Sequence, residues 1–212
     1  QLLRVWNYLP RINADGGGME RYRQFNIGRQ QAFIDAGRDP FEGSPAACAL
    51  GTSGAAGGSL SVCFLAGQMA PKPVENPRQV PAYRYSRTYG PRTPTFSRAA
   101  LADAGDGLLA LLVSGTASIV GHETVHPGDV RAQTAESLDN IAAVLAEASL
   151  KSRSGAYALG DLGYRAYVRH AADLDAVSEE VAQRLGDAPV AYVLADVCRS
   201  DLLVEIEAQC VR

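Results

Sequence analysis

Residues 128–145 read Gly-Asp-Val-Arg-Ala-Gln-Thr-Ala-Glu-Ser-Leu-Asp-Asn-Ile-Ala-Ala-Val-Leu, and their spacing decides the fold class. Asp129 is a good helix cap, because a short carboxylate accepts from the free amides of a first helical turn. Val130, Thr134, Leu138, Ile141 and Leu145 then recur at steps of four, four, three and four, the period of one buried helix face. The segments on either side read as strands. Residues 108–113 are a continuous apolar run, which predicts a buried strand, and residues 156–168 contain another. Asp173 predicts the cap of a second helix with Leu174, Val177, Val181 and Leu185 inside, ended by Gly186. Residues 190–197 and 202–208 close as two further strands. The order β-β-α-β-α-β-β makes this half α/β, with the helices packed on one face of a sheet.

Further outward, residues 2–9 read as a strand and residues 15–18 as a loop. Residues 19–36 read as a helix with Tyr22, Phe25, Ala32 and Phe33 on one side and Gly37 as its stop. Residues 46–50 and 60–66 are short apolar strands around the glycine-rich turn of residues 51–58. That turn invites a phosphate-loop reading, but it lacks a Gly-Lys-Ser/Thr ending, so a hairpin turn is expected. Strand, helix, strand, turn and strand describe both residues 2–66 and residues 156–208, a weak internal repeat that sets Tyr8-Leu9-Pro10 against Tyr167-Val168-Arg169. On this alignment the first unit lacks its opening strands and first helix. With a start at Gln1, already inside a strand, the expectation is a fragment of a longer polypeptide.

Residues 67–98 differ from both units. Pro71, Pro73, Pro77, Pro81, Pro91 and Pro94 predict irregular backbone there. Arg78, Arg84, Arg87, Arg92 and Arg98 alternate with Tyr83, Tyr85, Tyr89 and Phe96. A long loop of this kind inside a compact protein is commonly functional, and its aromatics favour an ordered one. The expected division is residues 1–66, a connector of residues 67–98 that contributes to a pocket, and residues 99–212.

Composition narrows the function. The chain is 47% hydrophobic and 20% charged with a net charge of −3, which argues against nucleic acid or an anionic membrane as partner. An Arg/Tyr-rich stretch alone could suggest single-stranded RNA, but the charge balance does not support it. No apolar run approaches the roughly 18–20 residues a bilayer span needs, and no signal peptide opens the sequence, so a cytoplasmic enzyme is expected. Cys48, Cys63, Cys198 and Cys210 form no Cys-x-x-Cys pair, and His122 and His126 lack further ligands, so neither a metal nor another cofactor is expected.

The segment from Gly128-Asp129 through Gln133-Thr134 and Asn140, with Val204-Glu205-Ile206-Glu207-Ala208 as last strand, resembles the RidA/YjgF fold. That resemblance implies two RidA/YjgF-like units, the first incomplete here. The imine deaminases of that family carry an arginine on the strand after the second helix, where this chain reads Pro-Val-Ala-Tyr-Val at residues 189–193. A RidA-like deaminase and a small-ligand-binding RidA-type protein are the alternative readings, and the missing arginine argues against the first.

Further segments resemble the chorismatase family. They are residues 4–13 (Arg-Val-Trp-Asn-Tyr-Leu-Pro-Arg-Ile-Asn), 21–29, 89–99, 114–124 (Ser-Gly-Thr-Ala-Ser-Ile-Val-Gly-His-Glu-Thr) and 196–205. The resemblance implies cleavage of the enolpyruvyl ether of chorismate with release of pyruvate. It places the general acid at Glu205. Cys198 and Gly115 stand where the family's hydroxybenzoate-forming branch has cysteine and glycine, which implies 3-hydroxybenzoate, with 4-hydroxybenzoate as a companion product in some relatives. A homo-oligomer, or association with an absent N-terminal segment, is a further expectation.

Chemistry supports the acid. Breaking an enol ether without a metal requires a proton on the vinyl carbon, and a buried carboxyl group can hold that proton near neutral pH. Strand alternation turns Glu205 away from the face of Val204 and Ile206. The same alternation applies to Glu207, for which a solvated position is expected. Chorismate carries two carboxylates, which call for guanidinium groups. Arg92 and Arg98 are the first choices, with Tyr83 and Tyr89 as hydroxyl donors and Gly115 and Ala117 lining the pocket. Residues 122–124 read as a proton relay or a capped turn, and Arg165 and Arg169 lie on a strand beside the pocket.

Overall fold

The computed structural model describes residues 1–52, 58–152 and 155–212. Most of the glycine-rich turn, residues 53–57, lies outside the described residues. The chain opens with β1 (Leu2–Pro10), α1 (Arg21–Asp35), β2 (Ala46–Thr52) and β3 (Ser61–Ala66). It continues with β4 (Lys72–Val74), β5 (Ala99–Gly105), β6 (Leu108–Thr116), β7 (Ile119–Val120), β8 (Glu123–Thr124) and α2 (Val130–Lys151). Then come β9 (Gly163–Val168), α3 (Leu174–Leu185), β10 (Val190–Leu194), β11 (Asp196–Val197) and β12 (Val204–Val211).

Two main sheets result, one ordered β10-β9-β12-β6-β5-β4 and the other β11-β2-β1-β3. The wiring of the smaller sheet repeats part of the larger. β1 pairs parallel with β2 across α1 and antiparallel with β3. β9 pairs parallel with β10 across α3 and antiparallel with β12. In register, Tyr8 faces Ser61 and Tyr167 faces Glu205, so Ser61 occupies in one unit the strand position of Glu205 in the other.

The core lies between α2, α3 and one face of the larger sheet. Leu138, Ile141 and Leu145 of α2 and Val177, Val181 and Leu185 of α3 pack on Leu111, Val113, Ala166, Val204 and Ile206. Each fully buried Leu, Ile or Val contributes about 1.5–3 kcal/mol. The Asp129 carboxylate accepts from the Ala132 amide at 3.0 Å and so starts α2. Among the described residues, no helix is long and apolar enough to cross a membrane.

The structure departs from the sequence reading in several places. β4 forms within the proline-rich connector because it is the edge of its sheet, where Pro73 lacks no needed ladder donor. β5, rich in alanine and glycine, was hidden by its weak apolar signal. The strand expected over residues 190–197 divides: β10 pairs with β9, and β11 crosses over to β2. Leu174 is exposed, and Asp173 belongs to a short 3-10 turn and makes no side-chain cap. On α1 the buried positions are Asn26, Gln30 and Phe33, while Ala32 is exposed.

The opposite face of the larger sheet is not open to water. β2 lies against β6 there, where Ser114 Oγ accepts from the Ala47 amide at 2.9 Å. Glu205 and Glu207 point into this inter-sheet layer and are 4% and 7% exposed. The expectation of a solvated Glu207 is therefore corrected, because the smaller sheet covers the face on which a lone sheet would be wet.

Candidate active site

A cavity of about 310 Å³ opens between the two sheets. Helix α1 supplies Tyr22, Phe25, Asn26 and Arg29, and β2 supplies Cys48. The connector adds Tyr85, Tyr89, Phe96 and Arg98. Gly115 and Ala117 lie on one wall, with Cys198, Arg199 and Glu205 beside them. That volume falls at the lower end of small-molecule sites, about 300–1,000 Å³.

Glu205 is a buried carboxyl group in the wall of this cavity. Burial pushes its carboxyl group up to about 8, Glu207 adds to the rise, and Arg4 and Arg98 oppose it. At neutral pH the group holds its proton and can give it up. Gly115 makes room for it: a Cβ built there would fall on the Glu205 carboxylate and lie 3.0 Å from Cys48 Cβ. Burial likewise pushes the Tyr22 hydroxyl well above its ordinary range, with Cys198 and Glu205 contributing, so Tyr22 is a neutral donor.

Cys198 Sγ lies 4.0 Å from Glu205 Oε2. Burial and the Glu205 charge push the thiol up to about 12, so it is a neutral, space-filling wall. The segment that carries it is held by Arg169. That guanidinium donates to Asp196 Oδ1 at 2.7 Å and to the carbonyls of Val197 at 3.0 Å, Arg199 at 2.8 Å and Leu202 at 2.7 Å. Arg169 thus shapes the crossover between the sheets.

Cationic groups surround the acid. Arg98 donates to the Val80 carbonyl at 2.9 Å and to Tyr85 Oη at 2.7 Å, and its guanidinium lies over Phe96. Arg29 donates to Asn7 Oδ1 and the Thr95 carbonyl, both at 3.1 Å. Arg199 donates to the His122 carbonyl at 2.9 Å and stacks 4.2 Å above Tyr89. Among the described residues, nothing accepts from the buried Nη2 atoms of Arg29 and Arg199. Buried guanidinium groups with donors to spare suit a dianionic guest. Tyr89 Oη meets His122 Nδ1 at 3.3 Å.

Of the residues singled out from sequence, Glu205, Cys198, Arg98, Tyr89, Gly115 and Ala117 line one cavity. Arg92 and Tyr83 do not. Arg92 is exposed and donates to Gln30 Oε1 at 2.8 Å, and Tyr83 sits under Arg84. The connector bends at its 3-10 turns, and alternation within a proline-rich loop does not reveal which arginine turns inward. Sequence reasoning missed Arg29, Arg199, Tyr22 and Asn26. The signal existed for three of them: Tyr22, Asn26 and Arg29 are spaced by four and three, a polar stripe on one face of a helix.

Glu207 is held in a cage. It pairs with Arg4 and accepts from Trp6 Nε1 at 3.1 Å, Arg165 Nη1 at 2.8 Å and Tyr167 Oη at 3.1 Å. Arg4, only 2% exposed, also donates to the Val113 carbonyl at 2.7 Å. Arg165 is thereby accounted for. Among the described residues, no group of three His, Cys, Asp or Glu side chains could hold a metal ion.

Fold and cavity together define an α/β protein in which two sheets enclose a buried carboxyl group. A solved structure named for an endoribonuclease L-PSP of Entamoeba histolytica superposes with a TM-score of 0.50 at 15% identity, covering 67% of this chain and 99% of its own, a likeness of fold alone. The family description "Chorismatase FkbO/Hyg5-like, N-terminal" matches residues 1–66. A chorismatase of Streptomyces rapamycinicus is 45% identical over 97% of this chain and 63% of its own length. A 3-hydroxybenzoate synthase of Streptomyces hygroscopicus is 43% identical over 97% of this chain and 62% of its own. A chorismatase crystal structure superposes with a TM-score of 0.89 at 41% identity, covering 98% of this chain and 63% of that one. The chain belongs to the chorismatase family and spans a little under two thirds of the length of these relatives.

Proposed function

We propose that the protein carrying this chain converts chorismate to 3-hydroxybenzoate and pyruvate. The observation that carries the reading is a buried carboxyl group, Glu205, raised to about 8 and set in a cavity walled by guanidinium groups. Glu205 delivers its proton to the vinyl CH2 of the enolpyruvyl group, which becomes the methyl of pyruvate. The positive charge develops on the ether carbon, and the bond from ring C3 to the ether oxygen breaks. The substrate's own C4 hydroxyl oxygen bonds to C3 and loses its proton, giving an arene oxide. Opening of that ring and loss of a ring proton yield the phenol. 4-Hydroxybenzoate is the alternative outcome of the same opening.

Arg29, Arg98 and Arg199 hold the two substrate carboxylates in this reading, and Tyr22 and Tyr89 supply hydroxyl donors. Cys198 and Gly115 shape the wall that keeps water from the cation and leaves the C4 hydroxyl as the nearest nucleophile. The name of the 43% identical relative agrees with this product. The test uses the full-length protein with chorismate, with pyruvate followed through lactate dehydrogenase and the aromatic acid resolved by chromatography. Equal amounts of pyruvate and hydroxybenzoate are expected. An absence of pyruvate removes the proposal.

A further inference from the structure

Glu205 and Glu207 lie two residues apart on β12 and share a face, which puts their side chains about 7 Å apart. Both are buried, being 4% and 7% exposed. Their surroundings differ. Glu207 receives bonds from Arg4, Trp6, Arg165 and Tyr167, two of them guanidinium groups. Among the described residues, Glu205 has no such cage. Facing it are Arg4 from β1, Cys48 from β2, Tyr22 from α1, Arg98 before β5 and Cys198 after β11. The thiols and the phenol are neutral, so the charges that act most on Glu205 are those of Arg4, Arg98 and Glu207, with Arg29 and Arg199 elsewhere in the cavity wall.

We propose that Glu207, ion-paired with Arg4 and Arg165, is a positioning residue that keeps the proton on Glu205 between turnovers. Two carboxylates in one water-poor layer do not both ionise cheaply, and only one of them is ion-paired here. Glu207 adds to the upward push that burial exerts on Glu205. The cage lies further along the same face of β12: of the two glutamates only Glu205 lines the cavity, while Glu207 lines a separate groove with Arg4, Trp6 and Arg165. Glu207 therefore acts through its field. The inference rests on the reading of Glu205 as the acid.

The experiment compares Glu207→Gln with Arg165→Gln in the full-length protein. Activity that requires protonated Glu205 is present below the pKa of that group and lost above it. Removing the Glu207 charge weakens the hold on the proton, so the alkaline limb of kcat/KM moves to lower pH, by about one unit for charges about 7 Å apart. Removing Arg165 leaves Glu207 less neutralised, and the limb moves to higher pH. A merely structural role lowers activity in both variants without opposite displacements. Limbs that stay put, or move in the same direction, overturn the inference. If Glu207→Gln does not fold, Arg165→Gln decides alone, since an unmoved or lowered limb is then sufficient refutation. The titration of Glu205 is also read directly by carbon NMR of Glu-labelled protein, assigned by difference from Glu205→Gln. A limb that survives in Glu205→Gln defeats the acid assignment and leaves the NMR comparison to judge the coupling.

Discussion

Gly115 and Glu205 occupy one another's space: a Cβ on Gly115 would lie 2.7 Å from the Glu205 carboxyl carbon. Real Cβ atoms do not approach that closely, so an added methyl must displace the acid. The same Cβ would also lie 3.0 Å from Cys48 Cβ, so the methyl meets a second tight contact. Gly115→Ala is therefore expected to cut kcat by tenfold or more and to destabilise the fold by about 1–3 kcal/mol, as overpacking in a dense layer does. Steady-state kinetics and urea unfolding read the two effects. An alanine variant with unaltered turnover would mean that the carboxyl group moves freely, against the geometry described.

The carboxyl group itself makes a prediction about pH. Its affinity is raised from an ordinary 4.5 to about 8 in the folded chain. Between these values the folded state binds the proton and the unfolded state does not, so stability falls as pH rises through that window. Each unit of pH within it corresponds to about 1.4 kcal/mol for a single such group. Glu205→Gln carries no titrating proton and removes that slope. Denaturant unfolding at pH 6 and pH 9 is expected to show the variant gaining stability over the parent at the higher pH. The same substitution should reduce kcat by a hundredfold or more, the usual contribution of a positioned acid. Parallel pH dependences for the two proteins would show that Glu205 is an ordinary carboxylate.

The arginines divide by burial. Arg29 and Arg199 turn buried Nη2 atoms into the layer around the cavity, while Arg92 is exposed on the connector. Arg29→Met and Arg199→Met should raise KM for chorismate at least tenfold, since each removes a charge-assisted bond of about 1.5–3 kcal/mol. Arg199→Lys should recover little, because a lysine cannot both stack on Tyr89 and keep a fork of donors. Arg92→Ala should leave both constants within about twofold, as surface substitutions do. If Arg92→Ala raised KM as much as Arg199→Met, the division by burial would be wrong.

How legible these features were in the sequence depends on what determines them. The α2 stripe of Leu138, Ile141 and Leu145 follows from local periodicity, and the structure buries all three. The repeat of β1-α1-β2-β3 in β9-α3-β10-β12 was visible because both copies keep the same order of elements. The side of β12 on which Glu205 lies was legible from alternation. That this side is covered was not, because the cover is a second sheet brought over by tertiary packing. Glu207 was misread for that reason. The break between β10 and β11 was hidden because the apolar run continues across Ala195 while its pairing partner changes. Arg92 and Arg98 share a proline-rich stretch with no period, so only the folded connector separates the exposed one from the buried one.

The last prediction concerns Cys198, whose sulfur lies 4.0 Å from Glu205 Oε2. A thiol pushed up to about 12 has no role as nucleophile or base at neutral pH, so its contribution is volume and dryness. Trimming it to alanine opens room for about one water beside the acid, on the wall that faces the developing cation. A water so placed competes with the C4 hydroxyl of chorismate for that cation. Cys198→Ala is therefore expected to keep releasing pyruvate while part of the ring product shifts from hydroxybenzoate to a dihydrodiene acid. Cys198→Ser, which keeps the volume approximately but adds a hydrogen-bonding hydroxyl, should give an intermediate ratio. Chromatographic product ratios at equal pyruvate release check this, and an unchanged hydroxybenzoate yield in Cys198→Ala would show that the sulfur does not control which oxygen traps the cation.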